Sequence, residues 1–326
     1  MKSGGSLSLL PRFSPPPRGR RDGRPTRILV TGAGGLLGNR LAELAAKKGH
    51  EVFSAYKEHL PLHGEPVLLD ITDEGAVRKT ISRVQPQAII NTAALTDVDR
   101  CEAEPDLAIL VNSQSVVHLA NAAREAGAFL VQVSTDYVFN GERGEYSESD
   151  TPDPINIYGR SKLGGELASK SAGEGRWCIS RTSVVYGWGR SYRPNAATYV
   201  HEKLSKGEKV SMVKDQYSSP TLNTSLGAMI IEVAERRISG IIHTAGATRL
   251  NRYDFALGLA DTLGLDKKLI SAVEAAQLSW KARRPRDSSL NVGMARRLLA
   301  QKPIEVREAY ERFRKELVEL KGSQQA

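Results

Sequence analysis

A doubly wound α/β fold is what this sequence predicts: a parallel sheet with helices on both faces and a smaller C-terminal lobe. Three observations carry that expectation. Strand-like and helix-like patterns alternate from residue 27 to residue 182. A glycine-rich turn, Gly32-Ala33-Gly34-Gly35-Leu36-Leu37-Gly38, separates the first strand from the first helix. Finally, Thr135-Asp136 closes an apolar run and is followed by Tyr158-Gly159-Arg160-Ser161-Lys162 on a helical pattern.

The elements follow in order. Arg27-Ile28-Leu29-Val30-Thr31 reads as a buried strand. Asn39 to Lys48 are helix formers with Leu41 and Leu44 on one stripe, and Gly49 stops them. Glu51–Tyr56 is a second strand, and Val67-Leu68-Leu69-Asp70-Ile71 a third. A helix is expected from Asp73 to Val84, then a fourth strand at Ala88-Ile89-Ile90-Asn91, opening into Thr92-Ala93-Ala94-Leu95. A long helix should run from about Pro105 to Ala126 until Gly127 ends it, with Leu107, Leu110, Val111, Val117 and Leu119 as core candidates. Asn112 on it either satisfies buried backbone or simply packs. Phe129-Leu130-Val131-Gln132-Val133 is the fifth strand. Pro152 and Pro154 delay the next helix to about Ile157, where Leu163, Leu167 and small residues suit close packing on a sheet. Trp177–Thr182 is a sixth strand; Leu222–Ile238 and Gly240-Ile241-Ile242-His243 read as a helix and strand returning to the sheet. The last helix is placed at about Pro303 to Leu320.

Composition narrows the function classes. Across 326 residues, 40% are hydrophobic and 25% charged, an ordinary balance for a soluble protein. No apolar run approaches the ~20 residues that cross a bilayer. The two cysteines, Cys101 and Cys178, lack metal-like spacing, so a reducing, cytoplasmic setting without disulfides is the default. The net charge of +9 is concentrated at the start: Lys2, Arg12, Arg18, Arg20, Arg21 and Arg24 against Asp22 supply +5 of it. With Pro15-Pro16-Pro17 and several Gly and Ser, residues 1–26 read as a disordered basic leader, and no specific nucleic-acid or membrane partner is expected.

Strand, glycine turn and helix in succession make a phosphate site. Gly32 permits the tight turn, Gly35 lets a pyrophosphate approach the backbone, and Gly38 lets helix pack on strand, with the helix N-terminus facing the phosphates. A dinucleotide is therefore the expected ligand. Where an NAD-type fold places a ribose-binding carboxylate after the second strand, this chain has Ser54-Ala55-Tyr56-Lys57. That favours NADPH, with NADH left open: Lys57 either attracts a 2′-phosphate or is an ordinary exposed lysine. Asp70 either meets the adenine amino group, with Ile71 against the ring, or it or Thr72 caps the following helix. The Rossmann domain is expected over 27–185 plus about 222–246, and a substrate lobe over about 186–221 plus 247–320.

Tyr158 and Lys162 are four apart and share one helical face. A lysine ammonium ~5 Å from a phenol, at an effective dielectric of ~20, favours phenolate by roughly 3 kcal/mol. A phenol so tuned could give a proton to a carbonyl oxygen as hydride reaches its carbon, with Thr135 holding the same oxygen.

Taken together, these residues resemble the dTDP-4-dehydrorhamnose reductase (RmlD-like) family of extended short-chain dehydrogenases/reductases. The matching features are Gly32–Gly38, Asn91-Thr92-Ala93-Ala94, Ser134-Thr135-Asp136-Tyr137-Val138-Phe139 and Tyr158-x-x-x-Lys162. Arg181-Thr182-Ser183-x-Val185-Tyr186-Gly187, Asp215-Gln216-Tyr217-Ser218-Ser219-Pro220-Thr221 and Arg284-Pro285-x-Asp287-Ser288 extend the match. The resemblance implies NAD(P)H-dependent reduction of the 4-keto group of a dTDP-linked 6-deoxyhexose. It implies that Thr135 and Asp136 meet the sugar, Tyr158 donates the proton and Lys162 anchors the nicotinamide ribose. Gly35, Leu36, Leu37, Asp70, Ile71, Ala93, Ala94 and Leu95 would line the cofactor. One departure is Val184, where the family motif has an aromatic residue. Another is Leu36-Leu37, which offers no carboxylate for the metal-bridged dimer of some relatives, so no metal is expected; a homodimer stays open. Arg284 and Arg286, with Arg283, either pair with a substrate diphosphate or form an exposed basic loop. The alternative function is an NADP-binding regulatory protein resembling the methionine adenosyltransferase β subunit. A third reading, an epimerase or dehydratase with tightly held NAD, is opposed by Asp136-Tyr137 in place of an Asp-Glu pair.

Overall fold

The computed structural model describes residues 26–189 and 194–323; the leader expected over 1–26 lies outside them except for Thr26. In chain order the first half runs β1 (Arg27–Thr31), α1 (Leu36–Lys47), β2 (Glu51–Tyr56), β3 (Glu65–Leu68), α2 (Glu74–Val84) and β4 (Ala88–Asn91). Then come α3 (Val98–Ala103), α4 (Pro105–Ile109), a π-turn (Leu110–Gln114), α5 (Ser115–Ala126), β5 (Phe129–Thr135), α6 (Ile157–Ser169) and β6 (Trp177–Thr182). The second half holds β7 (Val185–Tyr186), α7 (Ala196–Ser205), β8 (Val210–Val213), β9 (Tyr217–Ser218), β10 (Thr221–Leu222), α8 (Asn223–Arg236) and β11 (Gly240–His243). It ends with β12 (Leu250–Asn251), α9 (Arg252–Leu263), β13 (Ile270–Val273), α10 (Gly293–Leu298) and α11 (Val306–Ser323).

Seven strands pair in the order β11-β6-β5-β4-β1-β2-β3, all parallel. The order reverses at β1, so a crevice opens beyond the carboxyl ends of β1 and β4. Every residue of β4 and β5 is buried, as strands covered on both faces must be. One apolar layer joins β1, β4 and β5 to α1 and α8 through Ile28, Val30, Leu41, Val131, Leu226 and Ile230. The opposite layer, with Leu29, Ile89, Leu130, Val77, Ile81 and Leu119, lies under α2 and α5. A separate aromatic cluster, Tyr186, Phe255, Tyr310 and Phe313, ties α9 and α11 to the short strands beyond β6.

Several sequence expectations shift. β3 stops at Leu68, so Asp70 and Ile71 lie beyond it. Asp73, rather than Asp70 or Thr72, caps α2 by accepting a bond from Ala76 N. The long helix is broken by the π-turn, which swings Asn112 inward to bond Leu95 N and O and Ser161 Oγ, so its role is to satisfy buried backbone. Val117 and Leu167 are not core: they are 39% and 58% exposed. On α6 the sheet-facing row is taken by polar residues, which leaves Leu167 outside. α11 begins at Val306 rather than Pro303.

A buried ion pair lies under α6. Arg181 on β6 donates from Nε and Nη2 to the two carboxylate oxygens of Glu166, at 2.8 and 2.6 Å, and Ser134 Oγ donates to Glu166 Oε1 at 2.6 Å. Both side chains are almost wholly buried. Removing one partner of such a pair leaves an uncompensated charge and typically costs ~3–5 kcal/mol. Glu166→Gln should therefore lower the thermal midpoint steeply, by several degrees at least; a midpoint within ~1 °C of wild type in a thermal unfolding scan would show the pair to be dispensable.

Candidate active site

Tyr158, Lys162 and Glu166 occupy successive i+4 positions on α6, so one row of that helix faces β5. Asn156 starts the helix by accepting a bond from Gly159 N at 2.8 Å. Gly159 and Gly165 let it approach closely, since a Cβ at either would run into the carbonyl of Tyr137 or of Asn112. Down the row, each polar group finds a partner on β5. Tyr158 shares a hydrogen bond with Thr135, Lys162 Nζ donates to Val133 O at 2.7 Å, and Glu166 accepts from Ser134.

This arrangement differs from the expected lysine-tuned phenol. Burial pushes the Tyr158 hydroxyl above the ordinary tyrosine range, against the Thr135 hydrogen bond, and the neighbouring Asp136 charge pushes it further up. Burial also pulls the Lys162 ammonium down to about 8, with Glu166 acting the other way. Lys162 is turned to the strand carbonyl, so desolvation outweighs any pull of its charge on the phenol. The outcome is a tyrosine that keeps its proton at neutral pH. The ring of Tyr137 stands edge-on to that of Tyr158, with centroids 5.8 Å apart.

Asp136 is buried beside them, and both carboxylate oxygens are occupied. Thr135 Oγ1 donates to Oδ1 at 3.0 Å, while Ser183 Oγ and Ser288 Oγ donate to Oδ2 at 2.7 and 2.5 Å. Burial raises its pKa and the three hydroxyls oppose that rise. The sugar contact implied for Asp136 is thus occupied by protein hydroxyls, and the one Thr135 proton points to Asp136. Val184, next to Ser183, holds φ at +38°, a region that β-branched residues almost never adopt. It lines a small crevice with Tyr137, Gln216, Tyr217, Arg252, Pro285 and Ser288.

At the carboxyl end of β1, Gly32 adopts φ +71° and packs on the Ala93 backbone, and Gly38 lies against the Gly32 carbonyl. Gly35 begins α1 with no side chain capping it. The first-turn N–H groups, at Leu36 and Leu37, are therefore available to an anion, and no Cβ at Gly35 blocks the approach. Gly34 is a close contact that sequence reasoning did not single out: the His59 carbonyl sits where its Cβ would be. Ala93, Ala94 and Leu95 follow β4 at the rim of the crevice, with Leu95 fixed by Asn112. Lys57 and Asp70 meet each other at 2.8 Å. Burial raises Asp70, but Lys57 and Thr72 outweigh it and hold its carboxyl below the usual range. Ile71 is buried in the apolar layer, which leaves little of it for an adenine ring.

In the basic loop, Arg284 pairs with Asp99 on α3 through two bonds of 2.9 and 3.0 Å. Arg283 and Arg286 are exposed and line, with Trp280, Gln216 and Asp215, a cleft of about 430 Å³. That size suits a small-molecule ligand. Of the residues the structure brings to the site, Glu166 and Asp99 were given no role from the sequence, and Ser183 and Ser288 stood in the matching motifs without one. Glu166 had a signal, being the next i+4 step after Lys162; the other three are joined to it only through distant chain segments.

Comparison with known proteins bears on the family and the fold. The sequence model of the RmlD substrate binding domain matches residues 26–319. A probable low-salt glycan biosynthesis reductase of Haloferax volcanii is 35% identical over 81% of this chain and 89% of its own. A dTDP-4-dehydrorhamnose reductase of Aggregatibacter actinomycetemcomitans is 33% identical over 88% of this chain and 98% of its own. Methionine adenosyltransferase 2 subunit beta of Xenopus laevis is also 33% identical, over 73% of this chain and 72% of its own. Among solved structures, dTDP-4-dehydrorhamnose reductase from Bacillus anthracis in complex with NADP superposes with a TM-score of 0.80, at 32% identity, over 90% of this chain and 100% of that one. The fold, the placement of Tyr158 and Lys162, and these matches together make the chain a member of the RmlD substrate binding domain family.

Proposed function

We propose that this protein is an NAD(P)H-dependent nucleotide-sugar reductase, and that its substrate is dTDP-4-dehydro-L-rhamnose, reduced at C4 to dTDP-L-rhamnose. The observation that carries this reading is that Tyr158 is hydrogen-bonded to Thr135 at the carboxyl end of β5, with only β4 between that strand and β1, which leads into the glycine turn. The turn Gly32–Gly38, with the uncapped α1 N-terminus, suits a pyrophosphate, and Ala93, Ala94 and Leu95 offer a flat rim on which the dinucleotide would lie. Lys57 would hold a 2′-phosphate in exchange for Asp70, which favours NADPH. When bound, the reduced nicotinamide supplies the hydride.

The chain's own residues supply the rest. Tyr158 holds the proton that the ketone oxygen needs, and its upward-shifted pKa keeps that proton in place until negative charge develops on the oxygen. Thr135 orients the phenol, and Asp136 orients Thr135. Lys162, buried against Val133 O, would give up that bond in part to hold the nicotinamide ribose. Lys162 and Glu166, buried below Tyr158, hold the row rigid, so the oxygen's developing charge would meet a proton donor already fixed in place. A second reading, an NADP-binding regulatory subunit, is favoured by one observation: both oxygens of Asp136 are already occupied, so the sugar has one fewer polar anchor.

NADPH oxidation with dTDP-4-dehydrorhamnose separates the two, since a regulatory subunit gives no turnover. Tyr158→Phe should then lose at least ~100-fold in kcat while NADP⁺ affinity persists; near-normal turnover in that variant would place the proton elsewhere. A second expectation concerns the ligand-free protein. Because the folded pKa of Lys162, about 8, lies below its unfolded value, the unfolded chain binds more protons between the two. This group's penalty is full below pH 8 and relieved as pH rises towards 10.5. Lys162→Met should flatten that rise in a pH series of thermal midpoints; an unchanged slope would mean the ammonium is not desolvated.

A further inference from the structure

Loop 280–288 does more than present arginines. Asp99, on α3, accepts from Lys281 N and Ala282 N at 3.1 and 2.9 Å as well as from the Arg284 fork. Arg284 also donates to Ala282 O at 2.9 Å, and its guanidinium lies 4.4 Å over the Trp280 ring. The Arg284 hydrogen bond, its charge and the loop N–H groups hold the Asp99 carboxyl below the usual range. One residue further back, Arg283 O accepts from Asn156 Nδ2 at 2.8 Å, and Asn156 is the residue that starts the catalytic helix. The Arg284 side chain is only 11% exposed, whereas Arg283 and Arg286 are open to solvent. Among the described residues, no carboxylate pairs with either of them.

We propose that Asp99 is a positioning residue that holds Arg284 as a strut, so that Arg284 shapes the basic cleft without gripping the ligand, while Arg283 and Arg286 meet the diphosphate of a nucleoside diphosphate. Two geometric points support this. A guanidinium whose fork is matched edge-on to a carboxylate and whose face lies on an indole has few donors left for a second anion. And Asp99 simultaneously fixes two backbone N–H groups of the loop, which a mere charge partner for a phosphate-binding arginine would not do. The inference rests on the nucleotide-sugar reading, because it takes the cleft's ligand from it.

The two roles for Arg284 predict opposite signs. If Arg284 gripped phosphate directly, Asp99→Asn would free it and remove a competing negative charge, so anion binding would tighten. If Arg284 is a strut, Asp99→Asn loosens the loop and binding weakens. The test is calorimetric titration of dTDP into the full chain with NADP⁺ present. We expect D99N to weaken dTDP binding about tenfold, equivalent to about 1.4 kcal/mol, R284Q to weaken it by a similar factor, and the double variant to be no worse than either. In steady state the loss should fall on KM for the nucleotide-sugar and leave kcat close to wild type, a split that general unfolding would not produce. R284K guards against misfolding as the explanation: it keeps the charge but loses the fork, and should behave like R284Q. Unchanged or tighter dTDP binding in D99N, or binding retained in R284K with loss in R284Q, would overturn the strut. No binding of dTDP by the wild-type chain would overturn the nucleotide-sugar reading itself, and this inference with it.

Discussion

A carboxylate buried with hydroxyls rather than a cation holds the reacting end of this molecule together. Asp136 loses its hydration at the carboxyl end of β5, a cost that raises its pKa. It is offset by donors from three places in the chain: its neighbour Thr135, Ser183 beyond β6, and Ser288 from the C-terminal half. Each donor is fixed in return. Thr135 is turned so that its free lone pair faces Tyr158, and the loop that brings Ser183 inward holds Val184 in left-handed backbone. Strain at a residue lining the ligand crevice persists only because the flanking contacts over-determine it. Those contacts are the Ser183–Asp136 bond on one side and the Thr221 N–H to Val184 O bond, 3.2 Å, on the other.

The row Tyr158, Lys162, Glu166 turns the same principle along a helix. An amphipathic helix on a sheet ordinarily buries apolar residues; α6 buries an ammonium and a carboxylate instead, below a half-buried phenol. That is tolerable because each group is matched in register to β5: a hydroxyl at 135, a carbonyl at 133, a hydroxyl at 134 with Arg181 behind it. Leu163 packs beside this row against the cluster around Val138 and Phe139, and Leu167 is left exposed. Buried polar networks of this kind contribute specificity of position more than stability. The proton transfer proposed for Tyr158 would need that specificity, since a phenol displaced by about 1 Å from a ketone oxygen loses much of its advantage.

How legible this was depends on sequence distance. β1, the glycine turn and α1 are contiguous, and their residue types state their geometry: only glycine accepts φ +71° at Gly32 without strain, and only a missing Cβ lets Gly38 lie on the Gly32 carbonyl. Tyr158 and Lys162 are one helical turn apart and could be paired by periodicity, as Glu166 could have been. The direction of their pKa shifts could not, because it depends on burial that no local pattern encodes. Val117 looked like core by type, yet the π-turn before it rotates the helix face and leaves it outside. Ser183, Ser288 and Asp99 are ordinary residues by type. Their partners lie 47, 152 and 185 positions away, and only the fold brings them together.

These long connections converge on one segment. Residues 280–288 run from the Asp99 strut, past the bond between Arg283 and the start of α6, to the Ser288 hydroxyl on Asp136. The two ends of a nucleotide-sugar would therefore rest on the same short stretch of backbone, the anionic end at the cleft and the keto end beside Tyr158. In such an arrangement the strut governs how firmly the anionic end is held, whereas the proton donor keeps its alignment from the hydroxyls gathered on Asp136, so a loosened loop weakens binding and spares the hydride step.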